Sequence, residues 1–161
     1  MTESLDIIFC KLLRVGLGLS QEFSYKLNET EWKSFFVMAK QQTVQGIVYN
    51  ALSRLPVDSR PPRTLTMRLS LTVETIRGQN LLMNQEAARY TQLFTDRGVR
   101  SVILKGQANA RLYPDPLSRQ AGDIDIWIPG NFDTDAALLL GMGLISKINP
   151  REKRIHHIGF R

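Results

Sequence analysis

The chain has 161 residues, with 21 Lys and Arg against 15 Asp and Glu, giving a formal net charge of +6. That length allows one domain or one and a half with a proper core, and no run of about 18 uncharged apolar residues marks a membrane span. The start, Met-Thr-Glu-Ser-Leu-Asp, lacks a secretory pattern, and the single Cys10 excludes an internal disulfide, so a cytoplasmic protein is expected.

Ser4 to Leu17 repeats apolar residues at Leu5, Ile8, Phe9, Leu12 and Leu13 until Gly16 and Gly18 end the pattern, which predicts a helix with Cys10 as a small core residue. Asn28 with Glu31 marks a second helix start of the capping kind. From there the run carries Trp32, Phe35, Phe36, Met38 and Ala39 through Val44, Ile47, Val48 and Leu52 to Leu55-Pro56, and its aromatic stripe reads as core packing. Pro56, Pro61 and Pro62 make a loop. A long helix follows from about Arg63 to Arg97, with Gly78 as the place for a bend and Gly98 as the stop.

The pattern then changes. Ser101-Val102-Ile103-Leu104 is a short apolar strand that runs directly into Lys105-Gly106, and residues 107–112 read as a short helix. Tyr113-Pro114-Asp115-Pro116 is a turn that no helix continues through. Residues 122–128, Gly-Asp-Ile-Asp-Ile-Trp-Ile, alternate acids with isoleucines at the two-residue period of a strand. Asp123 and Asp125 therefore share a face, with Cα atoms roughly 6.5 to 7 Å apart, while Ile124, Ile126 and Ile128 point to a core and Trp127 packs on the helical region. Two carboxylates that close repel unless a cation joins them, and a hard divalent ion held by one or two carboxylates and by substrate phosphates suits the pair. A glycine at a strand-to-helix turn admits an anion to backbone N–H groups, and Lys105 adds a cation there. The combination points to a nucleoside triphosphate held by metal on one side and a loop on the other.

Leu104-Lys105-Gly106, Leu112-Tyr113-Pro114-Asp115-Pro116, Arg119 and Gly122-Asp123-Ile124-Asp125-Ile126 together resemble the signature of a bacterial, largely uncharacterised nucleotidyltransferase-like family of the polymerase-β-type superfamily. The resemblance implies that Gly106 is the phosphate-turn glycine and that Asp123 and Asp125 are catalytic metal ligands for Mg²⁺ or Mn²⁺. Lys105, Gly106 and Arg119 become the nucleotide-binding set, although Lys105-Gly106 departs from the commoner Gly-Ser turn. The implied reaction moves a nucleoside monophosphate from an NTP to a hydroxyl acceptor and releases pyrophosphate. The residues leave Arg119 two roles, bonding a phosphate or holding Asp115 or Asp123 in place.

The superfamily also uses a third carboxylate on a later strand. Residues 144–148 and 155–161 read as strands joined by the polar run 149–154, and the chain stops within strand-like sequence. Asp133 and Asp135 belong to a helix start after Gly130-Asn131, and Glu152 to a solvated turn, so none substitutes for the third acid. The chain accordingly reads as the N-terminal part of a longer protein or a truncated copy, and alone it would be inactive for lack of that acid. Adjacent His156 and His157 would point to opposite faces of a strand and do not form a joint metal site.

The fold class expected is α+β or α/β: a helical region, 1–97, followed by an incomplete nucleotidyltransferase core, 98–161, with a small mixed sheet. Two other functions stay open. One is a non-catalytic nucleotide-binding or regulatory domain of the same fold. The other is a basic module for nucleic acid, suggested by the net charge but not favoured, because the densest cluster, Arg151, Lys153 and Arg154, lacks interleaved aromatics.

Overall fold

Periodic apolar residues build the helices of this chain, and side-chain or backbone caps close several of their ends. The computed structural model describes residues 3–120 and 122–147. Helix α1, Leu5–Gly16, buries Phe9, Leu12 and Val15 on one face, while Cys10 lies on the opposite, exposed face and is not the core residue its neighbours suggested. Helix α2, Glu29–Gln41, starts with a full capping box: Asn28 Oδ1 accepts from the Glu31 amide at 3.0 Å, and the Asn28 amide donates to Glu31 Oε2 at 2.7 Å.

The long run read from Asn28 to Leu52 is two helices. Helix α2 stops at Gln41 and α3 covers Gln45–Leu52. Between them Thr43 adopts φ 55°, its amide bonds Lys40 O, and the Val44 amide bonds Ala39 O. This is the paired bonding of a Schellman ending. The same pattern closes α1 at Gly18, where the Gly18 and Leu19 amides reach Val15 O and Arg14 O. Thr43 hides this stop from the sequence, because a β-branched residue is not expected in a left-handed conformation.

Phe9 and Phe35 meet edge to face at 5.2 Å, and Trp32 and Phe35 at 5.8 Å, so the aromatic stripe is core packing. Val48, Ala51, Leu65, Leu69 and Val73 complete the buried cluster. Helix α4, Arg63–Thr95, follows a 3₁₀ turn at Val57–Ser59 and runs unbroken through Gly78.

Strand β1, Val102–Leu104, leads into helix α5, Gly106–Ala110, then a 3₁₀ turn at Pro116–Ser118 and strand β2, Asp125–Trp127. Among the described residues β1 and β2 form a two-stranded antiparallel sheet, not a mixed one, in a mostly helical chain compatible with an α+β fold. Helix α6, Phe132–Gly141, starts at Asn131, whose side chain accepts from the Asp133 and Thr134 amides. Residues 144–147 form bends and irregular chain where a strand was expected. The remaining hairpin, with Glu152, His156 and His157, lies outside the described residues. No helix among those described is long and apolar enough to cross a membrane.

The chain divides into two compact units, one running up to Arg89 and including Ile103–Asp125, the other made of Tyr90–Val102 and the chain from Ile126 on. The candidate site residues all belong to the first.

Candidate functional site

The loop after α5 is fixed from several sides. Pro116 begins the 3₁₀ turn, whose first free amide, that of Leu117, donates to Asp115 Oδ1 at 3.2 Å. Arg77 of α4 bonds the other Asp115 oxygen twice, from Nε at 3.1 Å and from Nη2 at 2.6 Å. Hydrogen bonding to Asp115 raises the pKa of the Arg77 guanidinium above its ordinary value. Ser118 is buried at 1% exposure. Its hydroxyl donates to Asp115 O at 2.8 Å and accepts from Asn50 Nδ2 of α3 at 3.2 Å. Gly46 of α3 backs directly on this loop, because a Cβ there would stand 2.0 Å from Ser118 O.

Lys105 is the residue before α5, and its backbone is at φ 45°, ψ −104°. That region suits glycine, and a lysine held there is strained by about 1–3 kcal/mol. The conformation turns the chain from β1 into α5 in one residue. Lys105 Nζ lies 3.6 Å from Asp125 Oδ2, with the lysine side chain 74% exposed and the aspartate 19%. At that separation the two share an ion pair rather than a tight hydrogen bond, and an exposed lysine can exchange it for another anion. Helix α5 has five residues, so its dipole is small and the lysine cation is the stronger attraction for an anion.

Gly106 is buried, and a Cβ there would stand 3.1 Å from the backbone carbonyl oxygen of Asp123 and 3.9 Å from Arg119 Nη1. Arg119 Nη1 is itself buried with no hydrogen-bond partner among the described residues. Such a donor is costly to leave unmade, and it faces the glycine of the turn.

Over residues 28–159 the chain matches the family described as "Uncharacterised nucleotidyltransferase". The chain belongs to this family. Nucleotidyl transfer is thereby its coarse reaction class. No curated protein and no solved structure matches the chain significantly.

Of the family-site residues expected from the sequence, the fold brings Lys105 to the Asp125 carboxylate, and Gly106 to the backbone of Asp123 and the guanidinium of Arg119. Three expectations change. Asp123 precedes the strand and is exposed, so only Asp125 sits on β2. Ile124, Ile126 and Ile128 are half-buried and Trp127 is 52% exposed, so neither the isoleucines nor the tryptophan is in the core. Asp115 is held by Arg77, which leaves the Arg119 side chain free of that role.

For a divalent ion the donor chemistry fits in kind: Asp123 and Asp125 carry hard carboxylate oxygens, and that of Asp125 stands beside Lys105 of the turn. Among the described residues no group of three or more His, Cys, Asp or Glu is placed to hold a metal. A divalent ion held by the pair would take its remaining ligands from substrate phosphates or water. A separate cavity of about 240 Å³ is lined by Lys11, Arg14, Ser20, Glu22, Ser24 and Tyr25. It contains none of these site residues, and its Lys11 is already bonded to Glu3 and Tyr25.

The sequence reading missed Arg77, Gly46, Asn50 and Asn80. Asn80 carried a signal, since it continues the buried stripe Leu65, Leu69, Val73 and Ile76 of α4 at helical spacing. A polar residue on such a stripe requires partners within the fold.

Proposed function

We propose that the chain carries the nucleotide site of a metal-dependent nucleotidyltransferase of the polymerase-β type. Its reaction moves a nucleoside monophosphate from an NTP to a hydroxyl acceptor and releases pyrophosphate. The single observation that carries the reading is the Lys105–Asp125 approach at the strained turn, within a chain of this family.

Asp123 and Asp125 are the residues that would hold Mg²⁺ or Mn²⁺. When bound, the ion neutralises phosphate charge and favours the attacking hydroxyl in its deprotonated form. Lys105 leaves Asp125 and turns its ammonium to the β- and γ-phosphates, a shift its exposed side chain permits. Gly106 has no side chain to keep those phosphates from the backbone. Arg119 supplies its unpaired Nη1–H to a phosphate oxygen. Charge stabilisation and positioning account for most of the work of phosphoryl-type transfer.

A binding-only domain is the second reading. It is favoured by the lack, among the described residues, of a third acid beside the pair. The two readings separate when NTPs labelled at the α-phosphorus are incubated with Mg²⁺, the protein and a panel of hydroxyl-bearing acceptors. The transferase reading expects label on an acceptor with equimolar pyrophosphate, abolished by Asp125→Asn. Nucleotide binding with no pyrophosphate from any protein containing this chain would leave the binding-only reading in its place.

A further inference from the structure

Asn80 lies in the middle of α4 and is 3% exposed. Its Nδ2 donates to two carbonyls of the loop after α5, Leu117 O at 2.7 Å and Arg119 O at 2.6 Å. Its Oδ1 accepts from Gln107 Nε2 at 3.3 Å. Both amide hydrogens and the carbonyl are therefore used, and this pattern of two acceptor carbonyls fixes which way the amide points. Gln107 follows Gly106 directly, and Arg119 is the residue whose Nη1 faces Gly106. One buried side chain thus ties together the two segments that flank the proposed phosphate pocket.

We propose that Asn80 is a positioning residue for the phosphate side of the nucleotide site, setting the separation between the Gly106 turn and Arg119. The proposal rests on the nucleotide-site reading above. Arg77, one turn earlier on the same helix, holds Asp115 of that loop, so α4 grips the loop on both sides of the 3₁₀ turn. Arg77 is partly exposed and acts before the 3₁₀ turn. Asn80 is buried and bonds Arg119 itself. Loss of Asn80 therefore changes where the Arg119 backbone sits, and with it the aim of the guanidinium.

Asn80→Asp is the sharpest variant, because a carboxylate of the same shape accepts but does not donate and would face two carbonyl oxygens. Asn80→Ala removes the amide without adding a charge. Val73→Ala is the control: Val73 lies on the same buried stripe and bonds nothing at the loop, so it lowers stability without touching the tie. Each protein is titrated with Mg²⁺ plus inorganic triphosphate and with AMP, and amide hydrogen exchange is followed over residues 105–119. The proposal expects both Asn80 variants to speed exchange in that segment and to weaken triphosphate at least about tenfold. AMP binding should fall much less, and Val73→Ala should change neither ratio. Equal loss for triphosphate and AMP, or loss matched by Val73→Ala, overturns the positioning role. A wild-type chain that binds no triphosphate removes the nucleotide reading instead. Unchanged exchange over 105–119 in the Asn80 variants then overturns the tie itself.

Discussion

Lys105 Nζ stands 3.6 Å from Asp125 Oδ2, and the backbone of that lysine is held at φ 45°. The two facts oppose one another energetically. An ion pair with one exposed partner at this separation contributes about 0–1 kcal/mol, whereas a non-glycine residue in this conformation costs about 1–3 kcal/mol. Stability alone would favour glycine at this position, and the proposed role for the ammonium supplies a reason to keep lysine.

Replacing Lys105 separates those terms. Lys105→Gly relieves the backbone and should raise the unfolding free energy by about 1 kcal/mol over Lys105→Ala, which keeps the strain. Both should lose triphosphate affinity. Denaturant melts of the two variants, read beside nucleotide titrations, check this. A glycine variant no more stable than the alanine variant would show that the turn is unstrained.

Gly46 packs against the loop that carries Arg119. A methyl group there meets Ser118 O at 2.0 Å, and neither backbone can yield without moving α3 or the loop. Gly46→Ala should cost about 1–3 kcal/mol, the usual range for overpacking. It should also quicken amide exchange at residues 115–119. A melt within about 0.5 kcal/mol of wild type, the ordinary range for a neutral surface change, would contradict the close packing.

Thr43 ends α2 in the conformation that Gly18 uses at the end of α1. Thr43→Gly should therefore stabilise the chain by about 0.5–1 kcal/mol, the left-handed strain relieved less the added chain entropy. Equilibrium unfolding measures it, and a destabilised variant would mean that the Thr43 side chain contributes more than its backbone costs.

Asp135 sits in the first turn of α6, where a helix N-terminus favours the carboxylate. Burial outweighs that and raises its pKa above the ordinary aspartate value. A raised acid binds its proton more readily folded than unfolded, so its contribution is present below the unfolded pKa and is lost as pH rises through the folded pKa. Asp135→Asn should accordingly gain stability relative to wild type as pH climbs from about 3 through the aspartate range. Unfolding curves across that window test the sign. A difference independent of pH, or one that shrinks as pH rises, would contradict it.

The sequence disclosed the elements that repeat and the residues with distinctive chemistry. The α1 stripe, the Asn28–Glu31 capping box and the change of pattern at Ser101 are local signals, and each appears where its periodicity puts it. The stop at Thr43 was not legible, because the residue contradicts its own propensity and is held by two backbone bonds. The seven-residue strand expected at 122–128 shortened to Asp125–Trp127, since alternation states which side a residue faces but not whether a partner strand is long enough to pair with it. The motif residues Lys105, Gly106, Arg119, Asp123 and Asp125 stood out by type. Their support did not: Arg77, Asn50 and Asn80 lie 38, 68 and 37 residues from the loop positions they bond. Such pairings belong to tertiary structure and leave only a buried polar residue on an apolar stripe as their trace.

The central claim is that Lys105, Gly106, Arg119, Asp123 and Asp125 make one metal-dependent nucleotide site. Calorimetric titration of Mg²⁺ with ATP, GTP, CTP and UTP into the wild-type chain, Asp123→Asn and Asp125→Asn tests it most directly. The account predicts binding of at least one nucleotide that requires Mg²⁺ and is lost in both folded variants. Binding that survives both substitutions, or that proceeds equally without Mg²⁺, would contradict it.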